Sequence, residues 1–181
     1  MRNDYPNDFR GVVQHEVGGH AFGKLADEYV YVGDFIDACG CKQGHVKEFN
    51  QGQSVGWYQN LSLNSNIYEV PWSHMIFDPQ FSNSVDMYEG GYFHQRGVFR
   101  SEQNSCMNNN IPYFSAISRE QIVKRIMEYA GEEYFFDKFK IKDNSSMGPI
   151  SFTRSMVISE YPSSTTHNKP VVVGEEPMLN F

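Results

Sequence analysis

The chain has 181 residues, 40% hydrophobic and 20% charged, which suits one folded domain with a substantial core and excludes a disordered chain. Its formal charge of −7, with no lysine–arginine cluster to offset it, argues against nucleic acid as a partner. The apolar runs are all too short to span a bilayer, so no transmembrane segment is expected, and Met1 to Pro6 lack the hydrophobic stretch of a signal peptide.

The first predicted element is a helix over residues 8–23, with Phe9, Val12, Val13 and Val17 on its buried side. It carries the run His15-Glu16-Val17-Gly18-Gly19-His20, in which two imidazoles flank a carboxylate. That is the raw material of a zinc site holding an activated water. In the common His-Glu-x-x-His motif the ligands lie four apart and project from one helical face. Here they lie five apart, and at about 100° per residue an ideal α-helix turns them roughly 140° away from each other. A π-type turn absorbs the extra residue, and Gly18 and Gly19 are poor helix formers placed where it is required. The expectation is a widened turn at that glycine pair, steering both rings onto one metal.

A third ligand must return from beyond the helix. Asp27 lies seven residues past His20, and a straight helix would carry it roughly 10 Å along the axis. Zinc ligands sit about 2 Å from the metal. Ending the helix at Gly23 in a left-handed cap turns the chain back, so Gly23 is expected at positive φ and Asp27 as the ligand. Glu28, Glu89 and Glu102 are the competing carboxylates.

Residues 32–84 are rich in Gly, Asn, Ser and aromatics without sustained periodicity, and read as long functional loops with short elements. Trp57, Tyr58, Trp72 and Phe77 are expected to pack those loops, and His74 and His94 to be structural or exposed. Cys39-Gly40-Cys41 followed by His45 has the look of a second metal site, although three cysteines are more often structural thiols, or one disulfide and a leftover. Cys106 paired with Cys39 or Cys41 would suit a secreted protein. A strand is read over 91–99, then a turn at Ser105-Cys106-Met107. Ser118 opens a helix with Gln121 as capping partner, an apolar face of Ile122, Val123, Ile126, Met127 and Ala130, and Gly131 as its end. Residues 132–139 form a short helix or a strand. From 143 the chain turns Ser-, Pro- and Gly-containing, with β-favouring fragments at 150–158 and 170–174.

The run His20-Ala21-Phe22-Gly23-Lys24-Leu25-Ala26-Asp27-Glu28-Tyr29 is followed by Tyr88-Glu89-Gly90-Gly91-Tyr92-Phe93, Gly97-Val98-Phe99-Arg100 and Asn104-Ser105-Cys106-Met107. Over about residues 12–130 these blocks resemble the immunoglobulin-A-type zinc metallopeptidases of bacteria, a metzincin-related family. The variant His-Glu-x-x-Gly-His motif departs from that family by one extra residue between Glu16 and His20, and is similar to the motif of dipeptidyl peptidase III. The resemblance implies an α+β, metzincin-like catalytic domain with long loops and few strands, over residues 1–142. Residues 143–181 would be a C-terminal arm or the start of a small β-module. It further implies Zn²⁺ as cofactor, Met107 on a tight turn as an apolar floor beneath the histidines, and secretion or residence at a cell surface. Metzincin-like domains place a twisted sheet, with an edge strand that can bind extended substrate, before the zinc helix. Only 14 residues precede His15. The chain therefore reads as the C-terminal portion of a longer protein, or as a short, rearranged relative.

The mechanism expected is that of an endopeptidase acting on a protein or peptide. His15, His20 and Asp27 hold Zn²⁺ with one position open to water, and Glu16 is the general base that passes the water proton to the departing amine. Tyr92, Arg100 and Tyr113 are candidates for a second donor to the developing oxyanion. The alternative is a zinc-containing but catalytically inactive module that binds at a cell surface.

Overall fold

The structure, a computed structural model, describes residues 9–30 and 43–143. The fold is α+β, with short helices around a small three-stranded antiparallel sheet. Among the described residues no helix is long and apolar enough to cross a membrane. Cys39, Cys41, and the arm from residue 144 with its two β-favouring fragments lie outside the described residues.

The helix read over 8–23 is present as α1, Arg10–Val13, running directly into a π-helix, Gln14–Phe22. The widening is broader than one turn at the glycine pair. It also changes which face is buried. Phe9, Val13 and Val17 are exposed, and the buried residues of the segment are His15 and Gly19. The side that turns inward is the one carrying His15 and Gly19, where Gly19 packs on Met107.

Gly23 ends the π-helix but has φ −69°, not the positive φ expected. The left-handed residue is Lys24, at φ 53°. Space is the reason for the glycine: a Cβ there would lie 3.0 Å from the carbonyl oxygens of both Gly18 and Gly19, and 3.1 Å from Ile122. Lys24 carries the reversal with its carbonyl bonded by Tyr58 N–H at 2.9 Å and its ammonium 5.0 Å above the Trp57 ring.

Within the stretch read as loops lies a 12-residue helix, α2, Gln43–Ser54. Its largely polar sequence has one deep anchor, Phe49, and no apolar stripe for periodicity to reveal. Strand β1, Leu61–Ser62, and helix α3, Ser73–Ile76, follow. Trp72 is fully buried, whereas Phe77 is exposed and stacks on Tyr68 rather than packing inward.

The single strand expected over 91–99 is two strands, β2, Tyr88–Gly91, and β3, His94–Arg100. Sheet order is β1-β3-β2, with Tyr88 and Leu61 both opposite Arg100. The hairpin turns at Tyr92 and Phe93, with φ 48° and 69°. Such values at two non-glycine residues cost roughly 1–2 kcal/mol each. Offsetting this, Tyr92 N–H donates to the Asp27 carbonyl at 2.8 Å and Phe93 N–H to that of Tyr29 at 3.1 Å. The hairpin tip thus grips the segment that carries Asp27.

Ser105 caps α4, Cys106–Asn109, its hydroxyl accepting from Met107 N–H at 3.1 Å. Helix α5, Ala116–Ala130, is capped by Ser115 and so begins before Ser118. Its first turns are buried, through Ala116, Ile117, Ser118 and Glu120, while Ile126 on the predicted apolar face is half exposed. Gly131, at φ 69°, is the left-handed cap that ends it. Helix α6, Phe136–Lys142, starts four residues later than the segment read at 132, with Phe139 as its buried anchor. Two cores result, one around Trp72, Met75, Ile117 and Phe139, the other around Ala26, Phe49, Leu61 and Val98.

Candidate metal centre

The π-helix aligns the histidines. His15 Nε2 and His20 Nε2 lie 3.1 Å apart, and Asp27 Oδ1 lies 2.8 Å from the first and 3.1 Å from the second. Zinc bonds of 2.0–2.1 Å at tetrahedral angles separate ligand atoms by roughly 3.3 Å, so the three donors fit a single ion. Each ring is oriented from behind. His15 Nδ1 lies 2.9 Å from the Cys106 carbonyl oxygen and His20 Nδ1 lies 2.8 Å from that of Leu25. A carbonyl can only accept, so both Nδ1 atoms carry hydrogen and both Nε2 lone pairs face Asp27. Two lone pairs and a carboxylate oxygen at such distances repel one another unless a cation, proton or metal, lies among them.

The electrostatics agree. Burial alone would lower the His20 pKa, but the hydrogen bond and charge of Asp27 outweigh it and raise it. Burial pushes Asp27 upward, yet the two imidazoles hold its carboxyl down at about 2. His15 is buried, whereas His20 is 32% exposed, so the open side of the cluster faces solvent past His20. Glu16 is exposed on the same segment and close enough for its charge to act on His20.

The two glycines of the π-helix admit close packing. A Cβ on Gly19 would sit 2.2 Å from Met107 Sδ, and one on Gly18 3.3 Å from the Phe114 ring. Met107 is fully buried and lies directly against the π-helix at Gly19. Cys106 is a buried thiol, its pKa pushed up to about 12 by burial, and the pairings weighed for it with Cys39 and Cys41 fall on residues outside the described ones.

The competing carboxylates are used elsewhere. Glu28 is buried and accepts from the Ser105 hydroxyl and, at 2.9 Å, from Asn60. Burial raises its pKa, against those two bonds and the nearby Arg100. Glu89 is exposed and caps Gly97 N–H at 3.1 Å. Glu102 is buried, accepting from Ala116 N–H at 2.7 Å and the Tyr113 hydroxyl at 2.8 Å. Two of the three candidate oxyanion donors are likewise committed. Arg100 gives its N–H groups to the carbonyls of Glu89, Gly90 and Glu102, and the Tyr113 hydroxyl bonds to Glu102, while the buried Tyr92 packs edge-on against Phe49. His94 is buried against His45, Nε2 to Nδ1 at 2.9 Å, and His74 pairs with Glu120 at 3.1 Å.

Glu102 carries a testable pH dependence. Burial raises its carboxyl from the ordinary 4.5 to about 7, against the opposing pull of the Ala116 and Tyr113 bonds. Below 4.5 the group is protonated in both folded and unfolded chain. Between 4.5 and about 7 the unfolded chain ionises first, so stability falls as pH rises. Glu102→Gln is expected to stabilise the protein by about 1–3 kcal/mol at pH 8 and to have no effect below about pH 4. Urea denaturation of both proteins at the two pH values measures this; an equal effect at both would refute it.

Asn60 and Ser105 were invisible as site residues. Asn60 brackets Ala26, accepting from its N–H at 2.9 Å and donating to its carbonyl at 2.8 Å, across 34 positions of sequence. Nothing local to Asn60 signals this, whereas Ser105 at least stood in a recognisable turn. Compared with protein-family models and with curated proteins, the chain matches none.

Proposed function

We propose that the protein is a zinc-dependent peptidase of metzincin-like organisation, in keeping with the resemblance of its motif blocks to immunoglobulin-A-type metallopeptidases. The observation that carries this reading is the meeting of His15 Nε2, His20 Nε2 and Asp27 Oδ1 within one ion's reach, with both Nδ1 atoms already bonded to carbonyls. Two neutral nitrogens and one carboxylate oxygen are the donor set of a catalytic zinc with a position left for water.

A bound zinc ion supplies Lewis acidity, bringing a water's pKa to about 7 and polarising the scissile carbonyl. Glu16, exposed one residue from His15, accepts the proton shed by the attacking water and delivers it to the departing amine. The Cys106 and Leu25 carbonyls keep His15 and His20 in the ligating tautomer. Met107, packed against Gly19, backs the π-helix that carries both rings. The substrate is a protein or peptide chain met outside the cell or at its surface.

Incubation of the full chain with a diverse peptide library is the test. Cleavage that stops with a chelator and returns with zinc is expected. Zinc uptake at one ion per chain without any cleavage would replace the peptidase by a zinc-containing binding module.

A further inference from the structure

Glu28 follows the carboxylate of the candidate metal centre yet turns away from it into the protein. Its side chain is 1% exposed and reaches two elements that are far apart in sequence. One oxygen accepts from Asn60 Nδ2 at 2.9 Å, and Asn60 in turn clasps both backbone polar groups of Ala26. The other accepts from the Ser105 hydroxyl, whose oxygen also accepts from Met107 N–H at 3.1 Å. Glu28 N–H completes the tie by donating to the Met107 carbonyl at 2.8 Å. Asp27 is thus suspended between Ala26, fixed by Asn60, and Glu28, fixed to α4.

The same α4 turn orients His15, because the Cys106 carbonyl bonds His15 Nδ1 at 2.9 Å. One carboxylate therefore links the segment presenting Asp27 to the turn that orients His15. These bonds lie in a region where polar groups left unpaired would be costly, so the tie is stiff.

We infer that Glu28 is a positioning residue, a clamp that sets the distance between Asp27 and His15 and so the affinity and geometry of the metal site. The inference rests on the zinc reading above and adds to it a residue that touches neither metal nor substrate. Groups that hydrogen-bond a metal's ligands typically change its affinity 10–100-fold when removed, and Glu28 acts one step behind such groups, on the chain that carries Asp27 and the turn that bonds His15. Glutamine preserves the clamp: its amide oxygen accepts from Asn60 while its amide hydrogen reaches the Ser105 oxygen. Leucine has a similar volume and no polar atom.

The experiment measures zinc affinity of the full chain by chelator competition, together with the visible absorption bands of the cobalt-loaded protein. Glu28→Gln is expected to bind zinc within about 3-fold of wild type, with an unchanged cobalt spectrum. Glu28→Leu is expected to bind about 10–100-fold more weakly, with shifted bands. A folded Glu28→Leu that binds like wild type overturns the clamp, as does a Glu28→Gln that fails as badly as the leucine variant. If Glu28→Leu does not fold, Ser105→Ala decides: about 10-fold weaker binding is expected, and unchanged affinity overturns the role. Wild-type protein that takes up neither metal sinks the zinc reading itself; uptake by wild type and Glu28→Leu alike sinks only the clamp.

Discussion

Glu16→Gln is expected to retain stoichiometric zinc and to lose peptide hydrolysis by about 10²–10⁴-fold, the range over which a positioned general base accelerates proton transfer. Glutamine matches glutamate in shape, so the π-helix and both rings stay in place; what disappears is the ability to accept a proton. Because Glu16 is exposed, its replacement carries no packing penalty, and activity is separated cleanly from folding. Zinc content by elemental analysis and turnover on the best library peptide are measured on the same sample. Undiminished turnover would remove Glu16 from the mechanism, while loss of zinc would show that it supports the ions' ligands rather than the proton.

Gly19→Ala sets two effects against each other. Alanine is the better helix former by about 1 kcal/mol, and on that ground alone the variant would gain stability. Its methyl group would lie 2.2 Å from Met107 Sδ and 2.9 Å from Cε, where about 3.5–4.0 Å is the comfortable separation between such atoms. Met107 is fully buried, so its thioether has little free space to yield into, and it belongs to α4, which holds the carbonyl behind His15. The clash wins. A net destabilisation of about 1–3 kcal/mol is expected, with zinc affinity reduced alongside it. In a Met107→Ala background the same change should be neutral or stabilising, because the space is then free. Chemical denaturation of the four proteins in this cycle gives the coupling, and simple additivity would show that Gly19 and Met107 do not constrain each other.

The sequence was most legible where chemistry forced it. Histidines five apart had no route to one metal in an α-helix, and the structure widens the helix across Gln14–Phe22. Asp27 was favoured over Glu28, Glu89 and Glu102 on a chain reversal after the helix, which Lys24 rather than Gly23 makes, and it alone of these four stands beside both imidazoles. Gly131 announced the end of α5. Reading failed where one residue type answers two physical demands. Gly23 was taken as a source of positive φ, but it is needed for the close approach of Gly18, Gly19 and Ile122, and Lys24 makes the bend. The stripe Phe9, Val13, Val17 was read as the buried side, whereas His15 and Gly19 are the residues that turn inward. Helix α2 escaped because a single anchor, Phe49, carries its packing. Asn60 escaped because a hydrogen bond across 34 positions leaves no local trace.

The Cys106 and Leu25 carbonyls hold the rear nitrogen of each ring from within the chain. On the zinc reading proposed above, an arriving ion would meet rings already turned toward Asp27 and would compete with hydrogen ions for the same nitrogens, so acid is expected to strip it.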